Sequence, residues 1–474
     1  MSQTKIVATI GPTSANPQKL KELHDAGMSM TRLNGSHNTL DWHSDTIRMI
    51  RETLPDTPIL LDIPGRKIRT TQLLHEPTFL AGETIILTTD LSHDGSEKIP
   101  VNYANLHEDL FPNATILADD GTLQFTVTKI SGQDIHCRAE TSGQLKSAKG
   151  INVPFVQLNT AQVTPRDHEM IGFAKKTGVD FIGISFVESV KHIEAIRAII
   201  NNSWPRIVSK IENQNGLDNM EEVIIGTDAV MIDRGDLSVE TNLESLAVFQ
   251  KRILATAATH GKPVIVATEM LHTMIENPFP TKAEVSDISN AVLDGAAATM
   301  LSGETAVGAH PIQSVSVMRE VSRVAEDHMH AGLDALATQS HATVPQVIGD
   351  AIALVCRSLP ITKIVTVTIS GFAARTIAVK RPRQPILAIS NDPMAARSFN
   401  ILPGTTGVYI GAKFSRTSTD HIPACLEALW NRGLISEDDQ LLVTAVAYPQ
   451  SGNRMNLMQT HVVSDLIQAL GWKP

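Results

Sequence analysis

Cysteine is scarce and scattered in this chain. Cys137, Cys356 and Cys425 are the three, and they lie far apart. That spacing excludes a closely spaced zinc cluster and a disulfide framework. A reducing compartment is therefore expected. No run of roughly 18 apolar residues occurs, so no membrane span is expected. The first residues, MSQTKIVATIG, lack the apolar run of a signal peptide, which points to the cytoplasm. Surplus positive charge is absent too. Lys and Arg total 40 against 50 Asp and Glu, for a net charge of -10 and a pI of about 5.9. That balance argues against a nucleic-acid binder, yet leaves room for a local basic pocket facing an anionic substrate. No low-complexity segment and no internal sequence repeat interrupts the chain. What is present is a globular composition, 42% apolar and 19% charged, in 474 residues. That length accommodates roughly two to four domains.

Strand and helix signals alternate from the start. Lys5–Ile10 reads as a strand, followed by a helix capped by Asn16, opened by Pro17 and stopped at Gly27. Met28–Leu33 and Ile59–Asp62 are the next strands, with a helix from Leu40 to Arg51 between them. From 72 to 159 the texture changes to short strands between Gly- and Asp-rich turns, as in a small all-β insert. Alternation then returns with Phe181–Phe186, Ile207–Ile211, Ala229–Asp233, Val264–Thr268 and Ala298–Leu301 as strands. Three strands before the insert and five after it give eight strand/helix units. That repeat predicts a closed (β/α)8 TIM barrel, with an open doubly wound sheet as the alternative. Residues 341–474 read as a further α/β unit with strands at Ile364–Thr368, Ile386–Ile389 and Leu441–Val446. The expected division is 1–71 and 160–340 for the barrel, 72–159 for a β-rich lid, and 341–474 for a C-terminal α/β domain.

The stretch Arg206–Glu240 carries the densest chemistry. Ile207–Val208 and Ala229–Ile232 are apolar, and each run ends abruptly in charge. Asn219–Ile225 between them has helical spacing, with Asp218 as the expected cap. A strand–helix–strand unit makes the two strands parallel, so their carboxyl ends share a rim. Lys210, Glu212 and Asp236 can converge there. A lysine beside two carboxylates suits a divalent cation and a phosphoryl group; a structural ion-pair cluster is the alternative. Other strand ends supply Arg32, Asn34, Ser36, Asp62, Lys67, Arg69, Asp233, Arg234, Thr268, Glu269 and Glu304. Active sites of such barrels lie at this face.

Long ordered blocks then resemble the pyruvate kinase family over nearly the whole chain. They include ATIGPTS at 8–14, RLNGSH at 32–37, LDIPGRKIRT at 61–70, KIENQNGLDNM at 210–220, DRGDLSVE at 233–240, PTKAEVSDISNAVLDG at 280–295 and MLSGETAVGAHP at 300–311. The resemblance implies transfer of a phosphoryl group from phosphoenolpyruvate to ADP, giving pyruvate and ATP, by a homotetramer. It implies that Lys210 and Arg32 face the moving phosphoryl group. Glu212 and Asp236 would hold magnesium or manganese. Thr268 would lie near the enolpyruvate and its protonation route, and the Gly235–Asp236 backbone near the substrate carboxylate. Asn34, Ser36, Asp62 and the Ile63 carbonyl would hold potassium, while His37 and Arg69 would lie on the nucleotide side.

Departures from the family pattern cluster near these positions. Gly35 stands for phenylalanine, Arg66 for proline, Glu188 for arginine, Asp233 for alanine, Ser238 for glycine, Glu269 for glutamine and Val307 for lysine. Added acids oppose a strongly anionic substrate. The first reading is a diverged paralogue taking another phospho-substrate, such as one carrying a positive group. The second is compensation, with Asp233 paired to Arg66. A non-catalytic regulatory protein on the same fold is a third. Gly35 is expected to loosen the monovalent-cation site. In the C-terminal unit, TISGFAAR at 368–375 offers Ser370 and Gly371 as a phosphate-cradling turn, with plain helix nucleation as the alternative.

Overall fold

A computed structural model describes the chain except residues 1–2, 120, 157, 160, 333–342, 416–417, 447–454 and 473–474. Eight parallel strands close a barrel in sequential order: β1 (Lys5–Thr9), β2 (Met30–Asn34), β3 (Ile59–Ile63), β4 (Phe181–Ile184), β5 (Arg206–Ile211), β6 (Ala229–Asp233), β7 (Val264–Ala267) and β8 (Ala298–Leu301). β8 pairs with β1, so no edge remains. The open-sheet alternative is thereby set aside.

Side chains alternate along each strand. Val7, Met30, Leu60, Val208, Met231, Ile265 and Met300 form one buried cluster, which fills the barrel. Ile6, Ala8, Leu33, Leu61, Ile207, Ile232 and Val266 belong to a second, packed under the surrounding helices. Strands buried on both faces read as continuous apolar runs, which is why they were legible. Helix ends carry the expected signals. Asn16 caps Pro17–Ala26 by accepting from the Lys19 amide, and Thr164 and Thr281 each close a capping box with the acid three residues on. Asp218 does not cap the following helix. It ends a short helix of its own, Gln214–Asp218, where its carboxylate accepts from Gln214. Asn219 is the cap residue of Met220–Gly226 and makes no side-chain cap bond.

Between β3 and β4 a seven-stranded sheet stands over the rim, with a core around Phe125, Val127, Ile116 and Ile135. Its first strand, Ile68–Arg69, pairs with Gly150–Asn152, so the two chain crossings lie side by side. The C-terminal sheet has five strands, not three. Thr405–Tyr409 and Leu457–Val462 are its edges, and the latter runs antiparallel. Their half-exposed, polar sequences hide them from an apolar-run search. This domain seats against the amino ends of the barrel strands. Asp180, fully buried, takes Arg51 at 2.6 Å and Arg397 at 2.9 Å, and Lys5 donates to the Thr405 carbonyl at 2.6 Å. Ser370 offers its carbonyl to Arg206 and to Arg375, which fits helix nucleation and packing at this loop. Among the described residues no helix is long and apolar enough to cross a membrane.

His192, on the helix Val190–Ile200, is buried under the rim. Burial, with Arg66 nearby, pushes its pKa down to about 4. The unfolded chain takes up that proton near pH 6.5 and the folded chain only near 4. Stability is therefore full above 6.5 and lost as pH falls through that window. We expect the wild type to lose about 2 kcal/mol more than His192→Gln between pH 7 and pH 5. Paired melting curves check this; equal losses would remove His192 from the acid sensitivity.

Candidate active site at the barrel rim

Residues that fill the barrel are followed, two positions later on the same strand face, by charge. Met30 leads to Arg32, Leu60 to Asp62, Val208 to Lys210 and two further on to Glu212, and Met231 to Asp233. The alternation that aims apolar chains into the barrel thus aims ionic ones into its mouth. Parallel register aligns them: Lys210 sits opposite Met231, and Asn34 opposite Asp62.

Lys210 is the centre. Its ammonium lies 3.0 Å from Glu212, 3.0 Å from Asp233 and 3.6 Å from Asp62, and it donates to Ser185 Oγ at 3.3 Å. Burial opposes its charge, but Asp233, Asp62, Glu212 and Asp236 outweigh it and hold its pKa well above the lysine range. Burial also raises Glu212, to about 8, against the pull of Lys210. For Asp233, burial pushes the carboxyl up, but Lys210 with Arg32 and Lys67 together hold it below its usual value. Asp236 is raised by burial and by Asp233, although Lys67 pairs with it. Carboxylate oxygens of Glu212, Asp233 and Asp236 lie within 4.8 Å of one another, and this set could hold a metal ion. Hard oxygens at that spacing fit a magnesium- or manganese-like cation. Glu212 Oε1 accepts from the Phe186 amide at 2.7 Å and Oε2 meets the Lys210 ammonium, while Asp62 Oδ1 is buried without a hydrogen bond.

The other expected residues fall around this core. Arg32 is buried, donating to Asp62 at 2.6 and 3.2 Å and to Thr9 at 3.2 Å. Thr268 adopts a left-handed backbone, φ 67°, and its hydroxyl accepts from the Gly235 amide at 2.8 Å. That contact ties the end of β7 to the short helix Arg234–Glu240, which begins directly after β6 and is absent from the sequence reading. Arg234 points away from the acids: it grips Asp287 at 2.7 and 2.8 Å and the Thr268 carbonyl at 2.6 Å. Glu304 likewise serves the scaffold, accepting from Leu271 and Ser302. Asn34 accepts from the Ser36 amide, and the Ile63 carbonyl accepts from Ser185. His37 is exposed at the rim, and Arg69 sits on the lid strand, bonded to the Ala148 carbonyl at 3.0 Å. Ser185 and Thr9 escaped the sequence reading, yet each is on the inward face two residues beyond Gly183 and Val7. Glu240 escaped as well. It accepts from Asn152 of the lid at 2.6 Å, and burial pushes its carboxyl up to about 7.

Three expectations are corrected. Asp233 pairs with Lys210, not with Arg66. Arg66 instead meets Glu188 at 2.9 Å, beside a cavity of about 340 Å³ between rim and lid. The two departures at Arg66 and Glu188 therefore compensate each other, because their loops adjoin in space. Gly35 does not loosen its surroundings. Its amide donates to the Asp62 carbonyl, and a Cβ there would lie 2.5 Å from that oxygen and 2.6 Å from Met170. Glu269 is exposed and lies outside the three-carboxylate cluster. We expect a double-mutant cycle of Arg66→Ala and Glu188→Ala to show about 1 kcal/mol of coupling, and Arg66→Ala with Asp233→Ala to be additive. Denaturation midpoints decide between them; the reverse pattern would restore the Arg66–Asp233 pair. Gly35→Ala should cost roughly 1–3 kcal/mol through overpacking, and an unchanged melting temperature would contradict the close contact.

Comparison with known proteins agrees with this architecture. A family model described as the pyruvate kinase barrel domain matches residues 1–315, and one for the pyruvate kinase alpha/beta domain matches 346–461. A pyruvate kinase of Bacillus licheniformis is 37% identical over 489 aligned residues, covering 100% of this chain and 83% of that protein. One from Borreliella burgdorferi is 35% identical and covered to 93% on both sides. The crystal structure of a pyruvate kinase from Cryptosporidium parvum superimposes with a TM-score of 0.85 at 33% identity, covering 98% of this chain and 96% of that one. With the closed barrel, the acid-flanked lysine and whole-length similarity together, this chain belongs to the pyruvate kinase family.

Proposed function

We propose that the protein transfers the phosphoryl group of phosphoenolpyruvate to ADP, giving pyruvate and ATP. The observation that carries this reading is Lys210, buried and held charged among Glu212, Asp233 and Asp62 at the mouth of the barrel. A phosphate oxygen of ADP attacks phosphorus, the bond to the enol oxygen breaks, and the enolate carbon then takes a proton. Little covalent work falls to the protein in such a transfer; alignment and charge neutralisation dominate. Lys210 and Arg32 supply fixed positive charge toward the phosphoryl oxygens. Thr268 stands on the protonation side, and the Gly235–Asp236 backbone lies on the side of the substrate carboxylate. Glu212 and Asp236 hold magnesium or manganese, which when bound neutralises substrate oxygens. Potassium is assigned to Asn34, Ser36, Asp62 and the Ile63 carbonyl, supported by the buried, unbonded Asp62 Oδ1. Nucleotide contacts are assigned to His37 and Arg69, and the assembly to a cytoplasmic homotetramer.

A second reading, a paralogue for another phospho-substrate, is favoured by one observation: Asp233 adds a third carboxylate beside Lys210. The retained lysine and acids speak against a purely regulatory protein. Steady-state pyruvate formation tests the first reading, run with magnesium or manganese and with potassium or sodium. We expect turnover that falls roughly a thousandfold in Lys210→Met. A folded, metal-binding protein without turnover would transfer the assignment to the second reading, and an equal rate in sodium would remove potassium from it.

A further inference from the structure

Asp233 is built into the site rather than scattered on its rim. It ends β6 on the inward face, two residues past Met231, and the register Asp233–Ala267 locks it against β7. Its carboxylate is buried, touches Lys210 at 3.0 Å and lies within 4.8 Å of both acids assigned to the cation. The donor set itself suits a cation. Glu212 Oε2 and the Asp233 carboxylate share a single ammonium, Lys210, at 3.0 Å each, while their oxygens and those of Asp236 lie within 4.8 Å of one another. The formal charges sharpen the point. Arg32, Lys67 and Lys210 face four carboxylates, Asp62, Glu212, Asp233 and Asp236. With all seven groups ionised, that group carries one net negative charge, and a divalent cation would bring it to one net positive charge. Without Asp233 the loaded site would carry two. Attraction for a phosphorylated carboxylate scales with that surplus, and little water intervenes to screen it.

We infer that Asp233 is a third carboxylate arm of the divalent-cation site and sets its selectivity, strengthening cation binding before substrate arrives and weakening binding of a strongly anionic phospho-substrate. This deepens the cation-site assignment above and depends on it. A third hard oxygen raises affinity for a hard cation. The same charge repels the phosphoryl and carboxylate groups of the incoming anion and holds the Lys210 ammonium that they need. Cation and anion affinities are thereby coupled with opposite signs. The substrate class that such a site prefers is a phosphorylated acid of reduced net charge.

The test uses the full-length protein and two titrations. The first is manganese alone, by calorimetry. The second is phosphoenolpyruvate, with manganese held at ten times each variant's own dissociation constant. Wild type is compared with Asp233→Asn and Asp233→Glu, and melting curves confirm folding. We expect Asp233→Asn to bind manganese about tenfold more weakly and phosphoenolpyruvate about tenfold more tightly, with Asp233→Glu restoring the manganese affinity. Unchanged manganese affinity in Asp233→Asn overturns the inference. So does weakening of both ligands together, which is the mark of a merely structural pair with Lys210. The two readings fail separately. Opposite shifts in a wild type that makes no pyruvate keep Asp233 as the arm and reject the reaction; vigorous pyruvate formation with no shift does the reverse.

Discussion

A buried ammonium needs anions, and the site follows from that need. Lys210 sits where its own hydration is stripped away, at a cost that only close carboxylates offset. Asp62 and Asp233 answer from two other strands, and Glu212 from just past the end of its own. Burial raises the carboxyl of Glu212 while Lys210 helps hold that of Asp233 low, so neither has its ordinary affinity for a proton. The result is a compact charged cluster held by strand register instead of by flexible loops. Preorganisation of this kind suits a reaction in which charge moves and little else changes.

The rest of the molecule protects that cluster. Barrel closure leaves the strands no freedom to slip, since a one-residue shift would turn Lys210 and Asp233 outward and Met231 toward the helices. The C-terminal domain plugs the opposite end, with Asp180 as the buried ionic pin between Arg51 and Arg397. Above, polar contacts among the described residues join the lid to the site. Lys67 reaches Asp236, Asn152 reaches Glu240, and Arg66 meets Glu188 at the crossing. Cations on the lid stem thus answer acids on the rim. The contact of the lid with the rim and the ionic balance of the site are linked through the same few side chains.

Much of this was legible in the chain itself. The eight strands announced themselves as short apolar runs alternating with helices, because a strand buried on both faces has no polar side to show. The cap at Asn16 and the stop at Gly27 were local and therefore readable. The site residues could be named because strand ends in a parallel barrel share one rim, and because the motif blocks are long. The short helix Arg234–Glu240 was not legible: seven residues holding a glycine and three charged side chains look like rim loop. The C-terminal edge strands were missed because one face of each meets water.

By itself, then, the amino-acid order determined the period of the fold, the inward parity of Arg32, Asp62, Lys210 and Asp233, and the family. Parity and period are local properties, set by how successive side chains alternate. Pairing was decided only in three dimensions. Asp233 found Lys210 and Arg66 found Glu188, although charge signs alone permitted the exchange. Gly35 turned out to be a close contact and not a loose joint, since its neighbour is the backbone of Asp62 from the next strand. Coulomb partners and steric limits depend on distances across the barrel, and those exist only once eight separate segments have closed into one ring.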